Sequence, residues 1–403
     1  MKQKLAIFLD TQGKSGGAYS ELVYMIDKIV KLNEELEIVF ISTSDKLDLN
    51  FIEKKYKIIF LKMNSFQRYI SFLRNYGSFT RRIKKFFFKN KFEELLKINK
   101  VDVVYFVNPS QFSLYIEDTD FIITVPDVSH RENVEFPEWA KNSNFIRLEE
   151  ILNKSLKRAI AVITNASIIK EKIANFYKVE NERIHLINHQ PSSGISSFDL
   201  KSHKPSKKYS LPKNYIFYPA MFLPHKNHKC IIDAINILLR DYNINISAVF
   251  CGADKGYLKK IKNYVKAKEL DKNIIFLDFV EYSDLPYLYI NALALTMPTF
   301  SGPTNIPPWE AFKLGVPVIY SDIFNIKQVY EDAVYYVDPY NSKTVAEAIK
   351  EVYQSESLRK KLVDNGTKLL KKINFDKEVH QITEILNKNK TIKNSWTFKD
   401  VND

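Results

Sequence analysis

The sequence predicts an α/β protein made of two doubly wound, Rossmann-like domains that face a central cleft. Short apolar strands alternate with amphipathic helices in two successive series. A polar, turn-rich stretch separates the series, and 403 residues are enough for two domains of ordinary size. Parallel sheets of this kind bind ligands at the carboxyl ends of their strands. The expected site is therefore the cleft between the two domains.

The first series opens with KLAIFLD at residues 4–10, which has the pattern of a buried strand. A glycine-bearing loop follows, and then an amphipathic helix for which Ser20 is the predicted N-cap. The further predicted strands are EIVFISTS, KIIFLKM, VDVVYFVN, FIITVPD and AIAVITNAS. Segment 191–213 is the predicted linker, because it is polar and rich in turn residues.

The second series repeats the alternation. Its predicted strands are YIFYPA, ISAVFCG, IIFLDF, ALALTMP, VPVIYSD and AVYYVD, and its helices include NHKCIIDAINILLRDY, GYLKKIKNYVKAKEL and WEAFKLG. The predicted domains are residues 1–200 and 201–375, followed by a C-terminal segment of residues 376–403.

Cysteine usage and hydropathy indicate an intracellular protein. Cys230 and Cys251 are the two cysteines, too few for a disulfide framework, which fits a reducing compartment. The apolar run near the start is too short for a signal peptide. No run reaches the roughly 18 apolar residues that span a bilayer. We expect a cytoplasmic protein that is soluble or lies on a membrane surface.

The net charge of +13 favours an anionic partner. Residues 65–97 interleave Lys and Arg with Phe and Tyr, which is typical of an interfacial membrane helix. The candidate membrane contacts are Arg81, Arg82, Lys84 and Lys85. The alternative is a solvated helical face whose aromatic residues pack on the first domain. No nucleic-acid partner is expected, because no nucleic-acid motif accompanies the charge.

The stretch SGPTNIPPWEAFKLGVPVIYSD at 301–322 has the features of an anion site at a helix start. Pro307 and Pro308 lack amide hydrogens and suit the entry to a helix, and Gly315 suits its C-cap. The backbone amides upstream are expected to face the cleft near the positive end of the helix dipole, where a phosphate would bind. These amides belong to Thr304, Asn305 and Ile306.

Glu310 is predicted to lie in the first turn of that helix, where the dipole keeps it ionised. An ionised carboxylate can accept hydrogen bonds from the paired hydroxyls of a ribose. The sequence therefore predicts a clamp for a nucleoside diphosphate. The alternative is an acid that only stabilises its own helix.

GPTNIPPWEAFKLGVPVIYSD resembles the donor-binding motif of family 4 (group 1) retaining glycosyltransferases, which have the GT-B fold. Glu310 matches the second glutamate of that motif, which binds the donor ribose, whereas the first falls at Gly302 and is absent. YPAMFLPHKNHKCIIDAINIL at 218–238 is similar to a second landmark. There Lys226 matches the lysine that contacts the donor diphosphate, and Met221 replaces the usual arginine. Branches of the family that contain the sequences HKNH and GPTN also lack this glutamate and this arginine. Many of them act in surface-polysaccharide (O-antigen or capsule) synthesis.

The amino half carries the same resemblance. Gly16 and Gly17 match the glycine loop that approaches the donor phosphate or the acceptor. TVPDVSHRENVEFPEW at 124–139 resembles the segment at the cleft, with Asp127, His130 and Arg131 in matching places. The family's usual histidine position holds Pro126, which makes His130 the candidate cleft histidine. The alternative is a structural histidine. The resemblance covers most of residues 1–375, and residues 376–403 resemble the last helix, which crosses back onto the first domain.

The resemblance implies transfer of a sugar, with retention, from a UDP-, GDP- or dTDP-linked donor to a hydroxyl of a glycan. The first domain would bind this acceptor on the inner face of the cell membrane, and the second domain would bind the donor. The basic-aromatic segment 65–97 suggests that the acceptor is lipid-linked. Lys226, Glu310 and His130 are the expected catalytic residues, and Arg131 could replace the missing arginine. No metal or other cofactor is expected, since positive groups stabilise the leaving diphosphate. Backbone near Cys251–Gly252 and Phe279–Val280 is expected to recognise the base.

Two other functions remain open. A nucleotide-sugar epimerase of the same fold would need no acceptor and would release a free epimer. An inactive, glycosyltransferase-like binding protein is the second possibility, and the substitutions at Gly302 and Met221 are its support.

Overall fold

The computed structural model describes residues 2–10, 17–32, 35–44, 56–69, 90–141, 143–196, 198, 208–277, 280–302 and 305–396. Several predicted residues lie outside these ranges, as does the predicted domain boundary between residues 200 and 201. The residues concerned are Gly16, Phe279, Thr304, Arg81, Arg82, Lys84 and Lys85.

The first sheet contains seven strands in the order β3-β2-β1-β4-β5-β6-β7, and every neighbouring pair is parallel. The strands are β1 Lys4–Leu9, β2 Glu37–Ser42, β3 Lys57–Phe60, β4 Val103–Phe106, β5 Asp120–Thr124, β6 Ala161–Thr164 and β7 Ile184–Leu186. Most are continuous apolar runs, as expected for a parallel sheet covered by helices on both faces. Strand β7 was not predicted, because a three-residue strand leaves no apolar run in the sequence.

The second sheet contains six parallel strands in the order β10-β9-β8-β11-β12-β13. They are β8 Tyr215–Pro219, β9 Ser247–Cys251, β10 Ile274–Leu277, β11 Ala294–Met297, β12 Val318–Ser321 and β13 Tyr335–Val337. All six strands of the second predicted series are thus confirmed. Below, the first and second domains are the parts built on the first and second sheets.

The described helices connect and cover the strands. In the first domain they are α1 Gly17–Leu32, α2 Lys91–Ile98, α3 Ser129–Glu132, α4 Pro137–Ala140, α5 Asn144–Ser155 and α6 Ser167–Tyr177, and α7 Ser193–Ser196 follows. The later helices are α8 His228–Arg240, α9 Leu258–Ala267, α10 Leu285–Ile290, α11 Pro307–Leu314, α12 Lys327–Tyr330, α13 Ser342–Gln354, α14 Glu356–Lys372 and α15 Phe375–Asn394.

Helix starts were predicted with mixed success. Helix α11 begins at Pro307 and ends before Gly315, as the proline pair and the glycine predicted. The N-cap prediction for Ser20 was wrong, because α1 begins at Gly17 and Ser20 lies inside it. Ala18 is a strong helix former, so the helix extends upstream of the serine.

The strand orders place a topological switch point in each domain. Strand β1 lies between β2 and β4, and β8 lies between β9 and β11, so the order reverses direction at β1 and at β8. The loops that leave neighbouring strands at such a point diverge and open a crevice at their carboxyl ends. Each domain therefore carries the crevice in which ligands of doubly wound sheets bind.

The C-terminal helix α15 returns to the first domain, as predicted. It packs beside α1, and Val379, Ile382 and Leu386 are buried in the hydrophobic cluster that contains Ile7 of β1. The Glu378 carboxylate accepts hydrogen bonds of 2.8 Å from the backbone and side-chain nitrogens of Asn188. Among the described helices, none is both long enough and apolar enough to cross a membrane.

Candidate functional site

A cavity of about 320 Å³ lies where the carboxyl ends of the two sheets meet. On the first-domain wall, Asn108 follows β4, Asp127 follows β5 and Asn165 follows β6. On the second-domain wall, Lys226 follows β8 and Asn305 follows β11. The cavity thus joins the two switch-point crevices, which is where the sequence predicted the site.

Lys226 is the predicted diphosphate contact, and the structure places it on the cavity wall. It ends a short 3₁₀ helix, Pro224–Lys226, and its Nζ donates a hydrogen bond of 2.9 Å to Oδ1 of Asn305. Burial lowers the Lys226 pKa to about 8, although the carboxylates of Asp127 and Glu138 oppose the shift. An anion in the cavity would stabilise the charged ammonium and raise this pKa.

The loop before α11 is held together around Asn305. Its Nδ2 donates to the carbonyl of Gly302 and, at 2.6 Å, to the hydroxyl of Tyr320. The Tyr320 hydroxyl in turn donates to the Gly302 carbonyl at 2.8 Å. These hydrogen bonds fix the position of Asn305 Oδ1, which accepts the hydrogen bond from Lys226. Asn305 and Ile306 line the cavity, as expected for the predicted phosphate-binding loop.

The missing glutamate at position 302 has a structural reason. Gly302 has φ of +90°, a conformation that L side chains rarely adopt. A Cβ atom there would lie 2.8 Å from Nδ2 of Asn305. A glutamate is therefore incompatible with this loop unless Asn305 moves, and moving Asn305 would break its bond to Lys226.

Glu310 lies in the first turn of α11, as predicted, and is only 5% exposed. Its Oε1 accepts a hydrogen bond of 2.9 Å from the Ser192 hydroxyl, and its Oε2 accepts one of 2.8 Å from the Tyr289 hydroxyl. The carboxylate thus already binds a pair of hydroxyls, both from the protein, and it can accept further hydrogen bonds. Glu310 is not among the described residues that line the cavity, so the ribose contact stays a prediction.

His130 and Arg131 are not placed in the cavity. His130 is buried, and its Nε2 lies 2.8 Å from Oε1 of Glu149. Arg131 binds both carboxylate oxygens of Glu149, and the Tyr177 hydroxyl donates to the same carboxylate at 2.7 Å. Burial opposes ionisation of Glu149, but hydrogen bonds from Arg131, Tyr177 and His130 outweigh it and lower its pKa to about 2.

This arrangement differs from the expectation for the segment after β5. Glu149 engages both His130 and Arg131, neither of which lines the cavity, so their roles at the site stay predictions. Asp127 does line the cavity, and its Oδ1 accepts a hydrogen bond of 2.8 Å from the backbone nitrogen of Ser129. Gly17 is the first residue of α1, which follows the carboxyl end of β1.

Sequence reasoning missed a contact that crosses the cleft. Residues 136–139 of the first domain, which we call the latch, contact His225 of the second domain. Oε1 of Glu138 accepts a hydrogen bond of 3.2 Å from the His225 backbone nitrogen and also binds its Nδ1. The rings of Phe136 and Phe300 stack at 5.6 Å. No spacing rule pairs residues 87 positions apart, although two aromatic residues around an acid could have marked the latch as unusual.

Burial lowers the pKa of His225, although the Glu138 carboxylate opposes this effect. The His225 carbonyl accepts hydrogen bonds from the backbone nitrogen of Phe300, at 2.9 Å, and from the Thr299 hydroxyl, at 3.1 Å. His225 also directly precedes Lys226. The latch therefore fixes the segment that carries the cavity's lysine and ties it to the loop after β11.

Comparison with known proteins agrees with this geometry. Residues 201–369 match the model of the family described as Glycosyl transferases group 1. The matched segment contains the whole second sheet, and we call it the group 1 domain. An O-antigen chain mannosyltransferase, RfbU of Salmonella typhimurium, is 31% identical over 51% of this chain and 54% of its own length. O-antigen chain mannosyltransferase B of Escherichia coli is 24% identical over 60% of this chain and 64% of its own. The chain thus matches about half to two thirds of these two relatives.

Solved structures extend the likeness to nearly the whole chain. HepE of Anabaena, in complex with UDP-glucose, superposes with a TM-score of 0.72 at 15% identity, covering 96% of this chain and 99% of its own. Together with the two parallel sheets and the returning helix α15, this likeness shows that the group 1 domain belongs to a GT-B fold.

Replacing Gly302 should lower the free energy of unfolding of the group 1 domain by more than backbone strain alone would. We expect Gly302→Ala to cost about 1–3 kcal/mol of strain and about 1 kcal/mol more from disturbed hydrogen bonds of Asn305. Gly256→Ala is the matched control, because Gly256 has φ of +89° and a Cβ there meets no atom within 4 Å. Urea unfolding of both variants measures the difference. Equal losses of unfolding free energy in the two variants would show that the hydrogen bonds of Asn305 do not contribute.

Proposed function

We propose that this protein is a retaining glycosyltransferase that moves a sugar from a nucleotide-diphosphate sugar to a hydroxyl of a glycan in surface-polysaccharide synthesis. The observation that carries the proposal is the position of Lys226, at the cavity where the carboxyl ends of both sheets meet. The hydrogen bond from its Nζ to Asn305 places the ammonium near the start of α11. There the helix dipole and the cation together favour binding of a diphosphate. The group 1 domain and the names of the O-antigen relatives support the same activity.

In this proposal the leaving nucleoside diphosphate lies against the second-domain wall. Lys226 and the amides before α11 stabilise the negative charge that develops on the phosphates as the glycosidic bond breaks. The acceptor hydroxyl loses its proton to the leaving phosphate, so no protein nucleophile is required. We propose that these positive groups do this without a metal ion. In the proposal, the buried carboxylate of Glu310 also accepts hydrogen bonds from the ribose hydroxyls, in addition to those from Ser192 and Tyr289.

The relatives suggest which donors to test first. Two are named as mannosyltransferases, and the HepE structure contains UDP-glucose. GDP-mannose and UDP-glucose are therefore the first donors of the panel, with a dTDP-linked sugar as the third class.

The proposal is tested by measuring the thermal unfolding of the protein with nucleoside diphosphates and nucleotide sugars. Ligand at about 100 times its dissociation constant should add about 2.7 kcal/mol of stability, or roughly 5–10 °C for a domain of this size. The shift should occur with one base only and shrink in Glu310→Gln, which keeps the side chain's shape.

Glu356→Ala is the control, because Glu356 is an exposed acid in the first turn of α14. Its shift should equal that of the wild type. Absence of any shift in the wild type would reject the donor site and favour a binding protein of another kind. Release of an epimerised sugar without acceptor would identify an epimerase instead.

The affinity for nucleoside diphosphate should depend on the charge of Lys226. Its pKa of about 8 means that above pH 8 the free site must take up a proton to bind the anion. Affinity should fall about twofold between pH 7 and 8 and then by up to about tenfold per pH unit, a range in which the phosphates are already ionised. Titration calorimetry measures this profile. Lys226→Arg, which stays charged, should flatten it, and a flat profile in the wild type would contradict the proposal.

We further propose that the protein is cytoplasmic and binds the inner face of the membrane, where a lipid-linked acceptor would be reached. The basic excess supports this location, as do Phe66 and Tyr69, which are 67% and 59% exposed at the start of segment 65–97. Binding to anionic liposomes, measured by co-sedimentation, should weaken with added salt. It should also weaken when neutral residues replace Arg81, Arg82, Lys84 and Lys85. Liposome binding that is insensitive to both changes would show that these residues do not form the membrane contact.

A further inference from the structure

We propose that Trp139 and Ser129 form the subsite for the transferred sugar, and that Trp139 determines which sugar is accepted. The inference rests on the proposed function and adds a location for the transferred sugar. It assigns the diphosphate to the second-domain wall of the cavity and the sugar to the first-domain wall.

The first observation is a pair of polar atoms without partners. Nε1 of Trp139 and Oγ of Ser129 are both buried, and neither has a hydrogen-bond partner among the described residues. Both residues line the cavity. Buried polar groups are rarely left unpaired in folded proteins, because the loss of hydration is not compensated. These two atoms therefore indicate a ligand that supplies hydrogen bonds at this wall.

The chemistry of the two atoms fits sugar hydroxyls. An indole N–H only donates, whereas a serine hydroxyl both donates and accepts. A hydroxyl of a sugar can accept from the indole and donate to the serine, since it has both capacities. A phosphate could accept from both groups but would bring its charge close to Asp127, which lines the same wall.

The second observation is that Trp139 lies beside His225, within a segment that is bound to the second domain. Its indole lies nearly parallel to the His225 imidazole, with ring centroids 6.3 Å apart and an interplanar angle of 24°. Glu138 binds His225, and Phe136 stacks on Phe300, so both neighbours in the latch are fixed to the second domain. A side chain fixed in this way loses little freedom on binding and can discriminate between sugars.

The third observation places the indole beside the diphosphate contact. His225, on which Trp139 stacks, directly precedes Lys226. A diphosphate bound by Lys226 would bring its attached sugar towards Trp139 on the opposite wall. The same hydroxyl chemistry could come from the acceptor glycan, so the experiment separates the two sources.

The test compares a nucleoside diphosphate with its nucleotide sugar. Trp139→Phe keeps an aromatic ring against His225 but removes the N–H, and Trp396→Phe is the control because Trp396 is 57% exposed. The probes are UDP with UDP-glucose and GDP with GDP-mannose, in titration calorimetry. We expect Trp139→Phe to leave nucleoside-diphosphate affinity unchanged and to weaken the nucleotide sugar about two- to tenfold. Ser129→Ala should act in the same direction.

Tryptophan fluorescence gives a second readout, because the chain has three tryptophans and Trp309 lies in the core. The nucleotide sugar should change the wild-type emission beyond the effect of the diphosphate, and Trp139→Phe should abolish that difference. Equal weakening of both ligands, no weakening of either, or an effect on acceptor KM alone would each overturn the proposal. If the wild type binds no nucleotide, the proposed function fails and this inference fails with it, a result distinct from the other three.

Discussion

The contact between Glu138 and His225 is the interaction on which the site depends, because it joins the carboxyl edges of two sheets that share no strand. Neither domain's crevice alone has both walls of the cavity. A second contact supports it, in which the Lys172 ammonium of the first domain lies 4.6 Å from the ring centre of Phe324 in the second. Both contacts are polar or aromatic rather than broadly apolar, which suits an interface that must admit a substrate. The cavity is therefore a property of the assembled pair of domains.

The loop before α11 shows how a departure from a family pattern can be structural. The family resemblance places a glutamate at position 302, where this chain has a glycine in a conformation that favours glycine. The amide of Asn305 occupies the space that a side chain at Gly302 would need, and its oxygen holds Lys226. The geometry of this loop therefore accounts for a glycine at position 302.

Much of this was predictable from the sequence, for identifiable reasons. Continuous apolar runs reveal buried parallel strands, and the family resemblance marked Lys226 and Asp127, both of which line the cavity in the structure. His130 does not line the cavity, and the sequence gives no sign that its ring nitrogen lies beside Glu149 of helix α5. Glu138 was missed for the same reason, since its partner lies in the other domain. Local patterns therefore predict strands and loops well, whereas contacts between segments far apart in the sequence depend on the tertiary fold.

The most direct measurement of the central claim is amide hydrogen exchange of the full chain, with and without the nucleotide sugar that gives the largest shift in thermal unfolding. If the cavity between the domains is the donor site, exchange should slow in both walls together, at residues 126–139 of the first domain and at 218–228 and 305–314 of the second. Slowing in the second domain alone would leave the nucleotide site in place but deny that the latch wall contacts the sugar. Slowing confined to other regions, with both walls unchanged, would contradict the account.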